Sequence, residues 1–131
     1  MTGTGQVVLV VDADEAARTA VTAYLRAAGI DAIDSEDGFE AVGRIEAGSY
    51  AAILLDVREV PSRVDRTLPM GFGVLEHIHR NIPDMLDRVI VMTANAAIFV
   101  TSPWYDRVGG FIRKPVDNEN VVAMVRAKLS D

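Results

Sequence analysis

The sequence contains no cysteine, and this absence excludes disulfide bonds, thiol chemistry and zinc sites built on cysteine. Its two histidines, His77 and His79, are too few for a structural metal site made of histidine ligands. Basic residues are scarce as well, because 13 Lys and Arg stand against 19 Asp and Glu, which gives a net charge of −6. Proteins that bind nucleic acid need clustered basic residues to hold the phosphates. This composition argues against direct nucleic-acid binding.

Long hydrophobic runs are also missing. No apolar stretch approaches the roughly 18 residues that a membrane span requires, and the first six residues resemble no signal peptide. We therefore expect a cytoplasmic protein that does not bind membranes. The chain has 131 residues, of which 50% are hydrophobic and 24% are charged. That content is too apolar for intrinsic disorder, and the length predicts a single globular domain over residues 1–131.

Runs of strand type alternate with amphipathic stretches of helix type. The predicted strands are residues 6–11, 30–33, 51–55, 88–92 and 110–112. The predicted helices are residues 12–28, 38–47, 71–81 and 118–129, and the apolar segment 96–105 takes the place of a further helix. Strands that alternate with helices predict an α/β fold with a parallel sheet and helices on both faces.

Ligands of an open parallel sheet bind beyond the carboxyl ends of the strands. The polar residues that follow predicted strands are therefore the candidates for chemistry, and they are Asp12, Asp14, Glu15, Asp56, Thr93 and Lys114. Carboxylates held close together repel, and a hard cation such as Mg²⁺ relieves that repulsion. A lysine beside them neutralises phosphoryl oxygens, and a hydroxyl donates a hydrogen bond to one.

Four segments in this order resemble the receiver domain of two-component response regulators: VLVVDAD, GFEAVGRIEAGSYAAILLDV, RVIVMTA and GFIRKP. The resemblance extends from about residue 6 to residue 129. It implies a doubly wound, flavodoxin-like sheet of five parallel strands in the order 2-1-3-4-5. It also implies that a histidine kinase or phosphotransfer protein phosphorylates Asp56. Lys114 matches the family's invariant lysine, Thr93 its switch hydroxyl, and Phe111 the aromatic residue that swings inward on activation.

The same resemblance implies a Mg²⁺ site formed by Asp12, Asp56 and the backbone carbonyl of Arg58. The family usually has a second acid directly after the first, but this chain has Ala13 there. Because Mg²⁺ requires nearly octahedral oxygen ligands, we expect it to bind weakly. Asp14, Glu15 or a water molecule would have to supply the missing oxygen. Arg58 and Asn95 occupy the positions that tune dephosphorylation in the family.

Two further regions are singled out by their composition. Residues 58–70 are longer than the usual family loop and contain two prolines and three arginines, so residues 59–69 are predicted to form a mobile flap. The chain has only eight aromatic residues, and four of them are Phe99, Trp104, Tyr105 and Phe111. Aromatic residues are enriched at interfaces. We therefore expect the fourth helix, fifth strand and fifth helix to form the signalling face, with a homodimer through that face.

Alternatives remain at this point. A degenerate receiver that binds proteins without phosphorylation is one, because Ala13 removes a metal ligand. A phosphatase similar to haloacid dehalogenases is a more remote one, since Asp12-Ala13-Asp14 fits its DxD motif, with Thr93 and Lys114 as later motif residues. Asp12 can also be explained as a helix N-cap, and Asp56 as a cap at the end of a strand.

Overall fold

The computed structural model describes residues 6–57 and 71–129. In this part of the chain five β-strands alternate with helices. The strands are β1 (Val8–Val11), β2 (Ala32–Ser35), β3 (Ala52–Asp56), β4 (Val89–Thr93) and β5 (Gly110–Arg113). The helices are α1 (Glu15–Ala27), α2 (Gly38–Ala47), α3 (Phe72–Asn81), α4 (Ala96–Val100) and α5 (Asn118–Leu129), with a 3₁₀ helix at Pro83–Arg88.

The five strands form one parallel sheet in the order β2-β1-β3-β4-β5, which confirms the predicted fold class. The registers bring the carboxyl ends of the strands together. Asp56 pairs with Met92, and Thr93 pairs with Arg113. The residues at or just beyond these strand ends therefore meet at one edge of the sheet.

Alternate residues of each strand point to opposite faces of the sheet, and both faces are covered by helices. In β1, Val8 and Val10 pack with residues of α1 and α5, whereas Leu9 and Val11 pack with residues of α2 and α3. All four β1 residues are 0% exposed. Burial on both faces explains why the sequence of this strand is a continuous apolar run rather than an alternating one.

The end of α1 corrects the predicted start of the second strand. Gly29 has φ of 84° and donates its amide to the Arg26 carbonyl, while the amide of Ile30 donates to the Leu25 carbonyl. These two bonds form a Schellman cap, in which the residue after the glycine packs on the last turn of the helix. Ile30 therefore belongs to the cap, and β2 begins at Ala32.

Several aromatic residues differ from the predicted pattern. Tyr24 and Phe39 fit an apolar helix face in the sequence, yet they are 37% and 55% exposed. In contrast, Phe99 and Trp104 are 1% and 8% exposed and belong to the core beneath α3. The predicted signalling face therefore keeps Tyr105 as its exposed aromatic residue, at 48% exposure.

The fourth helix is also shorter than its apolar segment, because α4 ends at Val100 and turns follow it. Within the described ranges, no helix is both long and apolar enough to cross a membrane.

Candidate functional site at the sheet edge

Three polar side chains are almost fully buried where the central strands end. Asp12 follows β1, Asp56 is the last residue of β3, and Thr93 is the last residue of β4. They are 1%, 2% and 3% exposed. Burying a carboxylate is costly unless it is paired with an opposite charge. The sheet edge must therefore bring a cation to these two acids.

Lys114 supplies that cation. It follows β5, and its Nζ donates to Oδ2 of Asp12 at 2.7 Å and forms an ion pair with Oδ1 of Asp56 at 2.9 Å. The backbone amide of Lys114 donates to the Thr93 carbonyl at 2.7 Å, which fixes the lysine beside β4. The peptide bond to Pro115 is cis. One ammonium group thus bridges both buried carboxylates.

The electrostatic surroundings of Lys114 act in opposite directions. Burial lowers its pKa, but the hydrogen bonds and negative charges of Asp12 and Asp56 raise it more, so the pKa lies above the ordinary value of 10.5. Lys114 therefore remains charged throughout the physiological pH range. In that range the Lys114 ammonium places a positive charge where anionic oxygens would gather.

The acid that caps α1 is Asp14 and not Asp12. Oδ1 of Asp14 accepts hydrogen bonds from the amides of Ala16 and Ala17, at 3.0 and 3.3 Å. Asp12 lies two residues before this cap, and its Oδ1 accepts the amide of Asp14 at 2.9 Å. The explanation of Asp12 as the N-cap is wrong, and the helix begins at Glu15.

The donor set agrees in part with a Mg²⁺ site. Mg²⁺ binds through one or two carboxylates together with water and phosphate oxygens. Asp12 and Asp56 provide two carboxylates, which are held close together because both pair with Lys114. Ala13 is exposed and offers no side-chain oxygen. Across residues 6–57 and 71–129, no three acidic or histidine side chains gather as a metal cluster. The residues present can hold the ion, with one carboxylate fewer than the family pattern.

A hydrogen bond connects Asn95 with Thr93 at the end of β4. The amide of Asn95 donates to Oγ1 of Thr93 at 3.0 Å. The side chain of Asn95 also caps α4, because its Oδ1 accepts the amide of Ile98 at 3.2 Å. A displacement of the Thr93 hydroxyl would therefore change the hydrogen bonding of Asn95, the residue that caps the first turn of α4.

Phe111 is a residue of β5, and its ring packs within a group of aromatic side chains. Its ring centroid is 5.5 Å from that of Phe99 and 5.8 Å from that of Tyr105. Phe111 is half-buried, so part of the ring already contacts the core. This group connects the buried end of α4 with the exposed Tyr105.

Arg18 is a residue of the site that the sequence reasoning missed. From α1, its Nη1 donates to the carbonyl oxygen of Asp12 at 3.0 Å, and its Nε donates to Oδ2 of Asp34 at 3.3 Å. A signal did exist, because Arg18 shares a helix face with Thr22 and Leu25, which are buried. A charged residue on a buried face needs a partner. Arg58 and the predicted flap lie outside the described residues.

Comparison with known proteins agrees with this geometry. The sequence model of the response regulator receiver domain matches residues 8–126. The chain belongs to this family. Receiver domains act with histidine kinases or phosphotransfer proteins in two-component signalling, and they are not enzymes in the usual sense. The phosphatase alternative is therefore wrong. No curated protein matches the sequence.

Solved structures share the fold at low sequence identity. The receiver domain of a sensor histidine kinase from Pseudomonas aeruginosa, which has a magnesium ion in its active-site cleft, has a TM-score of 0.78 and 24% identity. That comparison covers 98% of this chain and 100% of the other. The response regulator TrrA from Thermotoga maritima, in complex with Mg²⁺ and beryllofluoride, has a TM-score of 0.76 and 21% identity, with 94% and 98% coverage.

Proposed function

We propose that this receiver domain accepts a phosphoryl group on Asp56 from a histidine kinase or a phosphotransfer protein. The observation that supports this most directly is the bridging position of Lys114, whose Nζ lies within 2.9 Å of Asp56 Oδ1. A buried carboxylate at a strand end, next to a fixed ammonium, suits phosphoryl transfer, which depends on positioning and charge neutralisation.

In this proposal each residue at the edge has a defined task. A carboxylate oxygen of Asp56 attacks the phosphorus of a phosphohistidine, the P–N bond breaks, and its electron pair returns to the imidazole. Lys114 stays near the new acyl phosphate, where its charge balances the phosphoryl oxygens. The Thr93 hydroxyl donates a hydrogen bond to one of those oxygens. Asp12 and Asp56, with the carbonyl of Arg58 that the family resemblance implies, would hold Mg²⁺, which would supply further neutralisation of charge.

We infer that Mg²⁺ binds this chain weakly. Ala13 stands where the family has a carboxylate, and Asp14, the candidate replacement, already caps α1 through Oδ1. Because Oδ1 of Asp14 already serves the cap, the missing oxygen is left to Oδ2 of Asp14, to Glu15 or to a water molecule, and none of these replaces a carboxylate at position 13 itself.

The output of the switch is proposed to be the surface of α4, β5 and α5. Asn95 joins the Thr93 hydroxyl to the first turn of α4, and Phe111 contacts Phe99 beneath that helix. Three apolar residues at or near α4 are also partly exposed, namely Ile98, Val100 and Tyr105. A displacement of Thr93 would reach this surface through Asn95 and the first turn of α4. Asn95 and Arg58 would set the lifetime of the acyl phosphate.

The test is mass spectrometry of the protein after incubation with acetyl phosphate and Mg²⁺. We expect one phosphoryl adduct on Asp56 that hydroxylamine removes, as it does other acyl phosphates, and none in Asp56→Asn. The control is Asp106→Asn, because Asp106 is exposed and precedes the start of β5, whereas Lys114 follows the end of that strand. An adduct that persists in Asp56→Asn would contradict the assignment of Asp56.

A phosphorylation-independent binding module is the second candidate. It is favoured by Ala13, which offers no side-chain oxygen to a metal ion at the position where the family has an acid. If no adduct forms while the protein stays folded by circular dichroism, this second function replaces the first.

A further inference from the structure

The carbonyl group of Asp12 lies at the junction between β1 and α1. β1 ends at Val11, and the first backbone bond of α1 runs from the amide of Arg18 to the carbonyl of Asp14, at 2.9 Å. Backbone carbonyls at such junctions are commonly bound by side-chain donors. The guanidinium of Arg18 supplies one, since its Nη1 lies 3.0 Å from the Asp12 oxygen.

Arg18 is itself held firmly. Its side chain is 12% exposed, and its Nε pairs with Oδ2 of Asp34 on β2, a carboxylate whose side chain is 42% exposed. The planar guanidinium offers donors in fixed directions, so two acceptors can hold it in one orientation. Arg18 therefore links α1, β2 and the end of β1 at a point directly behind the acidic site.

We propose that Arg18 is a positioning residue that aims the Asp12 carboxylate at Lys114. The carbonyl and the side chain of Asp12 leave the same Cα atom, so fixing the peptide plane limits where the carboxylate can point. That carboxylate accepts from the amide of Asp14 through Oδ1 and from Lys114 through Oδ2. Releasing the carbonyl would let the peptide plane rotate, and both of these hydrogen bonds would lengthen.

The chain contains a matched control on the same helix. Arg26 donates to the carbonyl of Ala32 from Nε at 3.0 Å and from Nη2 at 2.7 Å. This contact also joins α1 to β2, but it lies two turns further along α1, away from Asp12. Arg26→Ala removes a comparable structural contact without touching the acidic site.

The experiment is NMR spectroscopy of the full chain, in which the resonances of the lysine Nζ groups and of the backbone amides are followed. Lys114 and Lys128 are its only lysines, so ¹⁵Nζ labelling gives two signals, one of them a reference. We expect Arg18→Ala to shift the Lys114 Nζ resonance and the Asp14 amide resonance, and Arg26→Ala to leave both in place. Arg18→Lys should behave like Arg18→Ala, because an ammonium lacks the fixed fork.

Asp34→Asn is the second variant, in case Arg18→Ala does not fold. It keeps Arg18 but removes the charge that holds it, so we expect smaller shifts of the same two resonances in the same direction. The proposal is overturned if the Arg18 variants leave both resonances unchanged or if Arg26→Ala shifts them equally. Full restoration by lysine at position 18 would also overturn it.

A kinetic measurement extends the test and rests on the proposed function. The initial rate of phosphorylation by acetyl phosphate should fall about tenfold in Arg18→Ala, the factor expected for one charge-assisted hydrogen bond, and stay unchanged in Arg26→Ala. If the wild-type protein takes up no phosphoryl group, the proposed function fails, and the two resonances still decide the role of Arg18.

Discussion

At the level of single residues, the sheet edge is a balance between two buried carboxylates and one ammonium group. Lys114 Nζ contacts Asp12 and Asp56 at 2.7 and 2.9 Å, and both acids are at most 2% exposed. Removing one partner of such a group leaves a buried charge without compensation, which is strongly destabilising. The same balance decides how the site responds to metal ions and to pH.

The substitution Ala13→Asp should raise the affinity for Mg²⁺ by at least about tenfold, because it restores a carboxylate where the family has one. The third carboxylate also adds repulsion, so the metal-free variant should be less stable than the wild type. Calorimetric titration with Mg²⁺ measures the affinity. The control is Ala16→Asp, an exposed position in the first turn of α1. Equal affinity in Ala13→Asp and the wild type would mean that another group already supplies the oxygen.

The raised pKa of Lys114 predicts a loss of stability at alkaline pH. Because the folded-state pKa lies above 10.5, Lys114 contributes stability that is fully present below that pH and is lost as the pH rises through the folded pKa. Urea unfolding across pH about 10 to 12 measures this, in a range where carboxylates do not titrate. In Lys114→Gln, the part of the decline in the free energy of unfolding that comes from deprotonation of Lys114 should be absent. Parallel curves for the two proteins would contradict the prediction.

At the level of secondary structure, local capping decides where the elements begin and end. Asp14 caps α1, Asn95 caps α4, and the backbone of Gly29 and Ile30 closes α1. The cap on α4 also connects that helix with Thr93. These ends set the positions of the site residues, because the site lies at the junctions between strands and helices.

Two glycines should respond in opposite directions to alanine. Gly29 has φ of 84° with no atom within 4 Å of an added Cβ, so Gly29→Ala strains only the backbone and should cost about 1 kcal/mol. Gly43 lies inside α2, also with open space around it, so Gly43→Ala should stabilise the protein by up to about 1 kcal/mol. Urea unfolding measures both changes. A stabilising Gly29→Ala would contradict the Schellman cap.

At the level of the whole molecule, the two faces of the sheet have different partners. α1 and α5 cover one face, and α2, α3 and the region of α4 cover the other. Residues of the site come from β1, β3, β4 and the end of β5, so a change at Asp56 can reach both faces. The aromatic group of Phe99, Tyr105 and Phe111 lies on the second face and extends to the surface.

The signalling surface should associate more strongly in the activated state. We expect self-association in analytical ultracentrifugation to increase with Mg²⁺ and beryllofluoride, and to be weaker in Tyr105→Ala. Phe39→Ala is the control, because Phe39 is also exposed, at 55%, but lies on α2. Trp104 does not test this surface, since it is 8% exposed in the core. A monomer under every condition, or an equal effect in Phe39→Ala, would exclude this interface.

The sequence by itself determined the alternation of strands and helices, because hydrophobic periodicity and glycine caps act over a few residues. It also placed Asp56, Thr93 and Lys114 at strand ends, where a parallel sheet gathers ligands, and the resemblance to receivers supplied the strand order. The family match confirms that resemblance. Helix bounds such as Gly38–Ala47 and Asn118–Leu129 agree with the prediction because the caps at their ends are local.

Only the tertiary structure decided which groups meet. Lys114 and Asp12 are 102 residues apart in the chain, and the contact between them depends on the register of the whole sheet. The same holds for Arg18 and Asp34, whose pairing needs α1 to lie across the end of β2. The burial of Phe99 and Trp104 depends on α3 packing over them. Such contacts have no local signature, because their partners are chosen by the folded backbone and not by neighbouring residues.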